Sequence, residues 1–294
     1  MAAGALTRRI AAEMATYPER MRSVAAFVIE HPQEVALLSM REQARRAGVL
    51  PATMTRFAQR LGYSGYDELR ALYAQSIRGQ VSDFGARASE LAARKSRLGE
   101  PSFASAIAGA LNDRVAALTT PERLATIVAA GAVLTRARRI FCLGHRSSYA
   151  PAYHFAYVAG LYGAPTRLLD AAGGIGADEL NGAGPGDAML AVSFAPYTRI
   201  TVSIAKDASD LGVDLVALTD DRTSPLARAA AVTIVVPTEI AGTAYVAAPA
   251  FAAAEILAAL VVAGIGTEGR GVLERNEAAF ARRSVYWTPG GRAA

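Results

Sequence analysis

Apolar residues recur at helical spacing through the first part of the chain and in short continuous runs through the second half. In Leu6 to Met14 and Met21 to Glu30 they fall three and four positions apart, as on a helix with one buried face. Pro32 disfavours helical backbone at His31, so the pattern predicts a break there and a new helix from near Glu34. Two short helices follow, Met40 to Ala47 with Met40, Ala44 and Ala47 inward, and Pro51 to Leu61 with Met54, Phe57, Ala58 and Leu61 inward. Gly48 and Gly62 close them, since each tight turn wants a residue tolerant of positive φ. A further helix spans Tyr66 to Ile77.

From Leu134 the period changes. Short apolar runs at Arg139 to Leu143, Thr166 to Leu169, Ala188 to Phe194, Leu215 to Leu218 and Val232 to Val236 alternate with helical segments. The helices are expected over Tyr149 to Leu161, Thr198 to Leu211, Pro225 to Ala230 and Ala244 to Ala263. Runs without polar alternation belong to strands buried on both faces, so the expectation is a doubly wound α/β domain with a five-stranded parallel sheet behind an all-α domain. The boundaries expected are 1–78 for the helical domain, 79–125 for a helical connector, 126–270 for the α/β domain and 271–294 for a C-terminal tail. In that tail Tyr286, Trp287 and Pro289 either pack on a partner subunit or form a disordered end.

The pair of short helices has the layout of a helix-turn-helix, in the run SMREQARRAGVLPATMTRFAQRLGYSGY from Ser39. Behind its apolar stripe, the second helix leaves Ala52, Thr53, Thr55, Arg56, Gln59 and Arg60 outward, hydroxyl, amide and guanidinium groups suited to base edges and phosphates. Thr53, Thr55, Arg56 and Gln59 are the candidates for base or phosphate contact, while Arg41, Arg45 and Arg60 would position the DNA backbone. The competing explanation is a pair of ordinary amphipathic helices with a solvated arginine face. Charge separates the two: of 31 Lys/Arg and 26 Asp/Glu, residues 1–100 hold 15 and 10, leaving 16 against 16 for the rest. The whole excess of +5 lies beside the motif, where phosphates would be neutralised.

Composition narrows the class further. With 52% hydrophobic and 19% charged residues, the 294-residue chain has material for two packed domains. No targeting segment is evident, and the longest apolar run, Ile240 to Ile265, is interrupted by Glu255 and reads as a buried helix, so a cytoplasmic location without membrane attachment is expected. Cys142 is the single cysteine, and His31, His145 and His154 lack metal-ligand spacing, so neither a disulfide, a metal nor another cofactor is expected.

In a doubly wound sheet, ligands bind beyond the carboxyl ends of the strands. Three loops lie there: Gly144-His145-Arg146-Ser147-Ser148, Ser193-Phe194-Ala195-Pro196-Tyr197-Thr198, and Thr219 to Pro225. Each places hydroxyls just before a helix, where unpaired amides and the helix dipole favour an anion. Read one at a time, Ser148, Thr198 and Ser224 are equally explained as N-caps.

Two runs carry a family resemblance. AGVLPATMTRFAQRLGYSGYDELR, and FCLGHRSSYAPAYHFAYVAGLYG followed by GDAMLAVSFAPYTRITVSIAKDASDLGVDLVALTDDRTSPLA, together resemble the RpiR family of bacterial transcriptional regulators. The resemblance implies an N-terminal helix-turn-helix domain, a C-terminal sugar isomerase (SIS) domain that senses a phosphosugar, a double-stranded DNA operator, and a homodimer or homotetramer. It assigns Ser148 to the first phosphate loop and Ser193 and Thr198 to the second, with Arg146, Ser147 and Tyr197 as further effector contacts. Arg146, Ala195 and Pro196 stand where the family commonly has glycine, serine and glycine, and Leu50 where a serine-like cap often precedes the recognition helix. An alternative is a SIS-type phosphosugar isomerase or lyase, for which His145, His154, Asp178 and Glu179 would be the nearest candidate bases. A third is a scaffolding dimer whose SIS domain binds nothing.

Overall fold

The computed structural model describes residues 3–82, 84–170, 177–238 and 246–287. The chain divides between Ser89 and Glu90 into two compact units.

The first unit is helical: α1 (Ala3–Ala12), α2 (Glu19–Glu30), α3 (Pro32–Leu37), α4 (Met40–Arg46), α5 (Pro51–Arg60) and α6 (Tyr66–Ser82), with α7 (Phe84–Leu98) running across the division. Helix α3 starts at Pro32 itself, because a proline in the first helical turn has no amide to leave unpaired. Leu6, Ile10, Val24, Val28, Val35, Met54, Phe57 and Leu69 fill the core, and Tyr17 meets Phe57 edge-on at 5.4 Å between ring centroids. Gln43, absent from the apolar reading, is fully buried. Its Nε2 donates to the Val35 and Leu38 carbonyls at 3.0 and 2.8 Å, and its Oε1 accepts from the Tyr66 hydroxyl at 2.6 Å, so one amide joins α3, α4 and α6.

The second unit contains α8 (Glu100–Ala116) and α9 (Pro121–Thr135) ahead of strands β1 (Ile140–Gly144), β2 (Thr166–Leu169), β3 (Ala188–Val192), β4 (Asp214–Thr219) and β5 (Val232–Val235). All strand pairs are parallel, in the order β2-β1-β3-β4-β5. Helix α10 (Tyr149–Leu161) connects β1 to β2, α11 (Arg199–Asp210) connects β3 to β4, and α12 (Pro225–Ala229) connects β4 to β5. Alternate residues of each strand serve opposite faces. Cys142, Leu190, Leu218 and Ile234 pack under α9, α10 and α13 (Ala248–Ile265), whereas Phe141, Met189, Leu215 and Ala217 pack under α11 and α12.

Helix α13 is long and apolar enough to cross a membrane, but Ala250, Ala253, Ala254, Leu257, Ala258 and Val261 are buried against α9 and α10 as in a core helix. Its expected start at Ala244 lies outside the described residues; the described helix begins at Ala248. Beyond 270 the chain, expected as a tail, continues as α14 (Thr267–Arg282), where Asn276 donates to the Leu161 carbonyl at 2.9 Å. Tyr286 then meets Phe280 edge-on while Trp287 is 86% exposed; Pro289 lies outside the described residues.

At the amino-terminal edge of the sheet, fully buried Asp187 accepts from Arg138 and Arg139 and from the Gly184 amide. Hydrogen bonds from Arg139 hold its carboxyl well below the usual carboxylate range.

Candidate functional site

In the helical unit, α4 and α5 end alike. The Val49 and Tyr63 amides reach back five residues to the Ala44 and Ala58 carbonyls, and Gly48 and Gly62 take φ of 66° and 94°. This is the helix ending in which a left-handed residue satisfies the last carbonyls. Ser39 caps α4 by accepting from the Glu42 amide at 3.3 Å. Leu50 occupies the corresponding place before α5 and gives no side-chain cap.

The inward stripe of α5 is Met54, Phe57 and Ala58, all fully buried. Arg56 and Gln59 are exposed and have no ion pair or side-chain hydrogen bond among the described residues, and Thr53 is half-buried beside them. Three other expected DNA-facing side chains are engaged within the unit. Thr55 turns to α4, its hydroxyl 3.8 Å from Met40 Sδ. Arg60 donates to the Thr16 carbonyl at 3.2 Å and lies over the Tyr17 ring, so it anchors the back of α5. Arg45 makes two hydrogen bonds to Glu42, at 2.9 and 2.6 Å, and Arg46 makes a third. The Arg45 and Arg46 bonds pull the Glu42 carboxyl down to about 2.

In the α/β unit, Gly144 pairs in register with Val192, so the loops after β1 and β3 leave the sheet side by side. The order β2-β1-β3 sends their following helices to opposite faces, which opens a crevice at this point. A side chain at Gly144 would collide with the Ser148 carbonyl, so the first loop can turn this sharply only at glycine. Arg146, exposed, takes φ of 57°. Left-handed backbone explains why glycine suits this position and why arginine strains it.

The three loops are joined by side chains. His145 Nδ1 lies 2.8 Å from Thr201 Oγ1, linking the first loop to the first turn of α11. Its Nε2 is buried without a hydrogen-bond partner among the described residues, and burial holds the imidazole below its usual value. Asp220, after β4, accepts from the Ala195 amide at 3.1 Å and the Tyr197 hydroxyl at 2.9 Å. Burial, with Asp220 alongside, raises the Tyr197 phenol, and burial raises Asp220.

The hydroxyls differ in what they have left to offer. Ser224 is a true N-cap, accepting from the Ala227 amide at 3.1 Å. Ser148 and Thr198 precede α10 and α11 without side-chain capping bonds. Buried Ser193 accepts from the Thr198 amide at 3.4 Å and retains its own proton for donation. Ser147 and Arg146 are exposed on the first loop. Tyr197, expected as a replacement contact, has its proton committed to Asp220. Sequence reasoning missed Asp220; the signal was a carboxylate directly after a strand end, beside three loops that need fixing.

The candidate bases do not assemble around this crevice. His154 pairs with Glu255 at 2.7 Å, joining α10 to α13, and Asp178 and Glu179 are exposed on a 3₁₀ turn. Among the described residues no cluster of three His, Cys, Asp or Glu side chains could hold a metal.

Residues 5–80 match the helix-turn-helix domain of the rpiR family, and residues 133–264 match the SIS domain. The chain is 28% identical to the sugar isomerase domain of an RpiR transcription factor from Sphaerobacter thermophilus, covering 57% of this chain and 92% of that one with a TM-score of 0.52 or less, namely 0.51. It has the fold of the Vibrio vulnificus NanR protein complexed with ManNAc-6P, at 19% identity and a TM-score of 0.52, covering 94% of this chain and 98% of that one. No curated protein matches the chain.

Proposed function

The chain belongs to the RpiR family, and from that premise we propose that it is a transcriptional regulator that binds operator DNA through α5 and senses a phosphosugar in the crevice between β1 and β3. The observation that carries the reading is a division of labour within one chain. Arg56 and Gln59 stand exposed and uncommitted on the recognition helix, and the Ser148 and Thr198 hydroxyls stand uncapping at two helix starts. The first pair suits bases and phosphates of DNA. The second suits a phosphate, with Ser193, Ser147 and Arg146 completing its shell.

On this reading the SIS domain is a sensor rather than an isomerase. His154 is held by Glu255, and His145 is held by a threonine hydroxyl instead of the carboxylate that would tune a general base. The regulator works in the cytoplasm as a homodimer or homotetramer, setting two recognition helices in successive major grooves about 34 Å apart. Its effector acts by binding one arrangement of the subunits better than another.

The test is an electrophoretic mobility shift on the DNA upstream of its own coding sequence, with competitor DNA. Wild type should give a specific shift that Arg56→Ala with Gln59→Ala abolishes, and one member of a panel of hexose and N-acetylhexosamine phosphates should change the midpoint. Turnover of any of these phosphosugars by the purified protein would replace the sensor by the enzyme.

A further inference from the structure

Leu50 is 64% exposed, and among the described residues it is the one large apolar side chain of the helical unit left open to water. It sits where a side-chain oxygen would cap α5 and contribute about 1 kcal/mol. Its backbone does the local work of a helix start: extended at φ −78° and ψ 147°, it accepts the Thr53 amide at 2.9 Å. Its side chain contributes no cap. Pro51 and Ala52, beside it, are exposed as well, so the tip of α5 is an apolar point followed by the polar face of Thr53, Arg56 and Gln59.

Resting on the DNA-binding reading above, we infer that Leu50, with Ala52, is a specificity-determining contact to the 5-methyl group of thymine. A recognition helix enters the major groove with its N-terminal residues toward the base edges. There the thymine methyl is the apolar feature of a base pair, and apolar side chains read it. Leu50 therefore gives up a cap in return for sequence discrimination at the tip, while Arg56 and Gln59 read polar edges further along the helix. The operator then carries thymine where the tip of α5 meets it.

The experiment begins by selecting duplexes that the full-length protein binds specifically from a random-sequence library. The selected duplexes are remade with deoxyuridine for thymidine, which removes the methyl and keeps the pairing. Wild type should bind the thymidine duplex about fourfold more tightly for each methyl contacted. Leu50→Ser, which supplies the missing cap and so folds at least as well, should bind both duplexes equally, and Leu50→Met should retain the preference. Equal binding of both duplexes by wild type, an unchanged preference in Leu50→Ser, or loss of self-association in Leu50→Ser with the preference intact would each overturn the inference while leaving the regulator standing. Failure to select any specific duplex would remove the regulator and this contact together.

Discussion

The Tyr197 hydroxyl donates to Oδ1 of Asp220 at 2.9 Å, and Oδ2 of the same carboxylate accepts the Ala195 amide at 3.1 Å. One side chain from the end of β4 thus fixes two points of the loop that follows β3. Asp220→Ala should leave both donors without an acceptor and cost about 2 kcal/mol of unfolding free energy, with a weaker phosphosugar response. Tyr197→Phe, which removes a single bond, should cost about 1 kcal/mol. Urea denaturation and ligand-induced thermal shift on the same preparations check both.

Arg146 should give stability and affinity of opposite sign. Arg146→Gly relieves a left-handed backbone at φ 57° and should stabilise the α/β unit by about 1 kcal/mol. The same change removes a guanidinium from the phosphate loop and should lower affinity for a sugar phosphate about tenfold. Melting without ligand and calorimetric titration with the phosphosugar that shifts DNA binding separate the two effects. A variant that melts higher and binds as well as wild type would take Arg146 out of the effector site.

Asp187 gives the pH dependence of the α/β unit. Its folded-state pKa is depressed from 3.8 by Arg139 and then Arg138, so its contribution is present above that value and is lost as pH falls below it. Asp187→Asn should be less stable than wild type by about 3 kcal/mol at neutral pH. The gap should close as the wild type is taken below about pH 4, where it loses the same interaction. Denaturation midpoints of the two proteins across pH 3 to 7 test this; parallel curves would place the stabilisation elsewhere.

The architecture was legible because its signals are local. Continuous apolar runs announced β1 to β5 within two residues, and β2 and α10 lie where the pattern put them, because those strands are buried on both faces. Gly48 and Gly62 announced the ends of α4 and α5 because left-handed backbone is chemistry a sequence can carry. Partner choice was not legible. Gln43 reads as polar and lies buried, since its acceptors come from α3 and its donor from α6. Arg60 reads as DNA-facing and is claimed by Thr16 and Tyr17, 44 residues upstream in the first case. Both outcomes depend on long-range packing that spacing within one helix does not encode.

Gln43 is accordingly a sensitive position. Gln43→Leu keeps the volume but orphans the Tyr66 hydroxyl and two carbonyls, and should destabilise the helical unit by about 3 kcal/mol. Gln43→Glu should be worse at pH 7 than at pH 4, because a carboxylate has no proton to give the Val35 and Leu38 carbonyls whereas the carboxylic acid has one. Far-ultraviolet circular dichroism during denaturation at the two pH values reads the difference; a pH-independent Gln43→Glu would mean that the amide's donors contribute little.

Glu42 tests how the positive charge beside the motif is held in reserve. Its carboxyl, drawn down to about 2 by Arg45 and then Arg46, stays ionised at every physiological pH and neutralises guanidiniums next to the recognition helix. Glu42→Gln keeps the backbone amide that Ser39 caps and removes only the charge, so α4 should still form. The freed arginines should then reach phosphates, raising non-specific affinity for duplex DNA several-fold at low salt and steepening the dependence of log affinity on log salt by about 1 to 2. Phosphate contacts carry no sequence information, so the order in which the variant prefers different duplexes should match wild type. Titrations from 50 to 300 mM salt on specific and random duplexes measure both quantities. A salt slope equal to that of wild type would show that Arg45 and Arg46 lie off the path of the DNA backbone, and would leave the engagement of the duplex to α5.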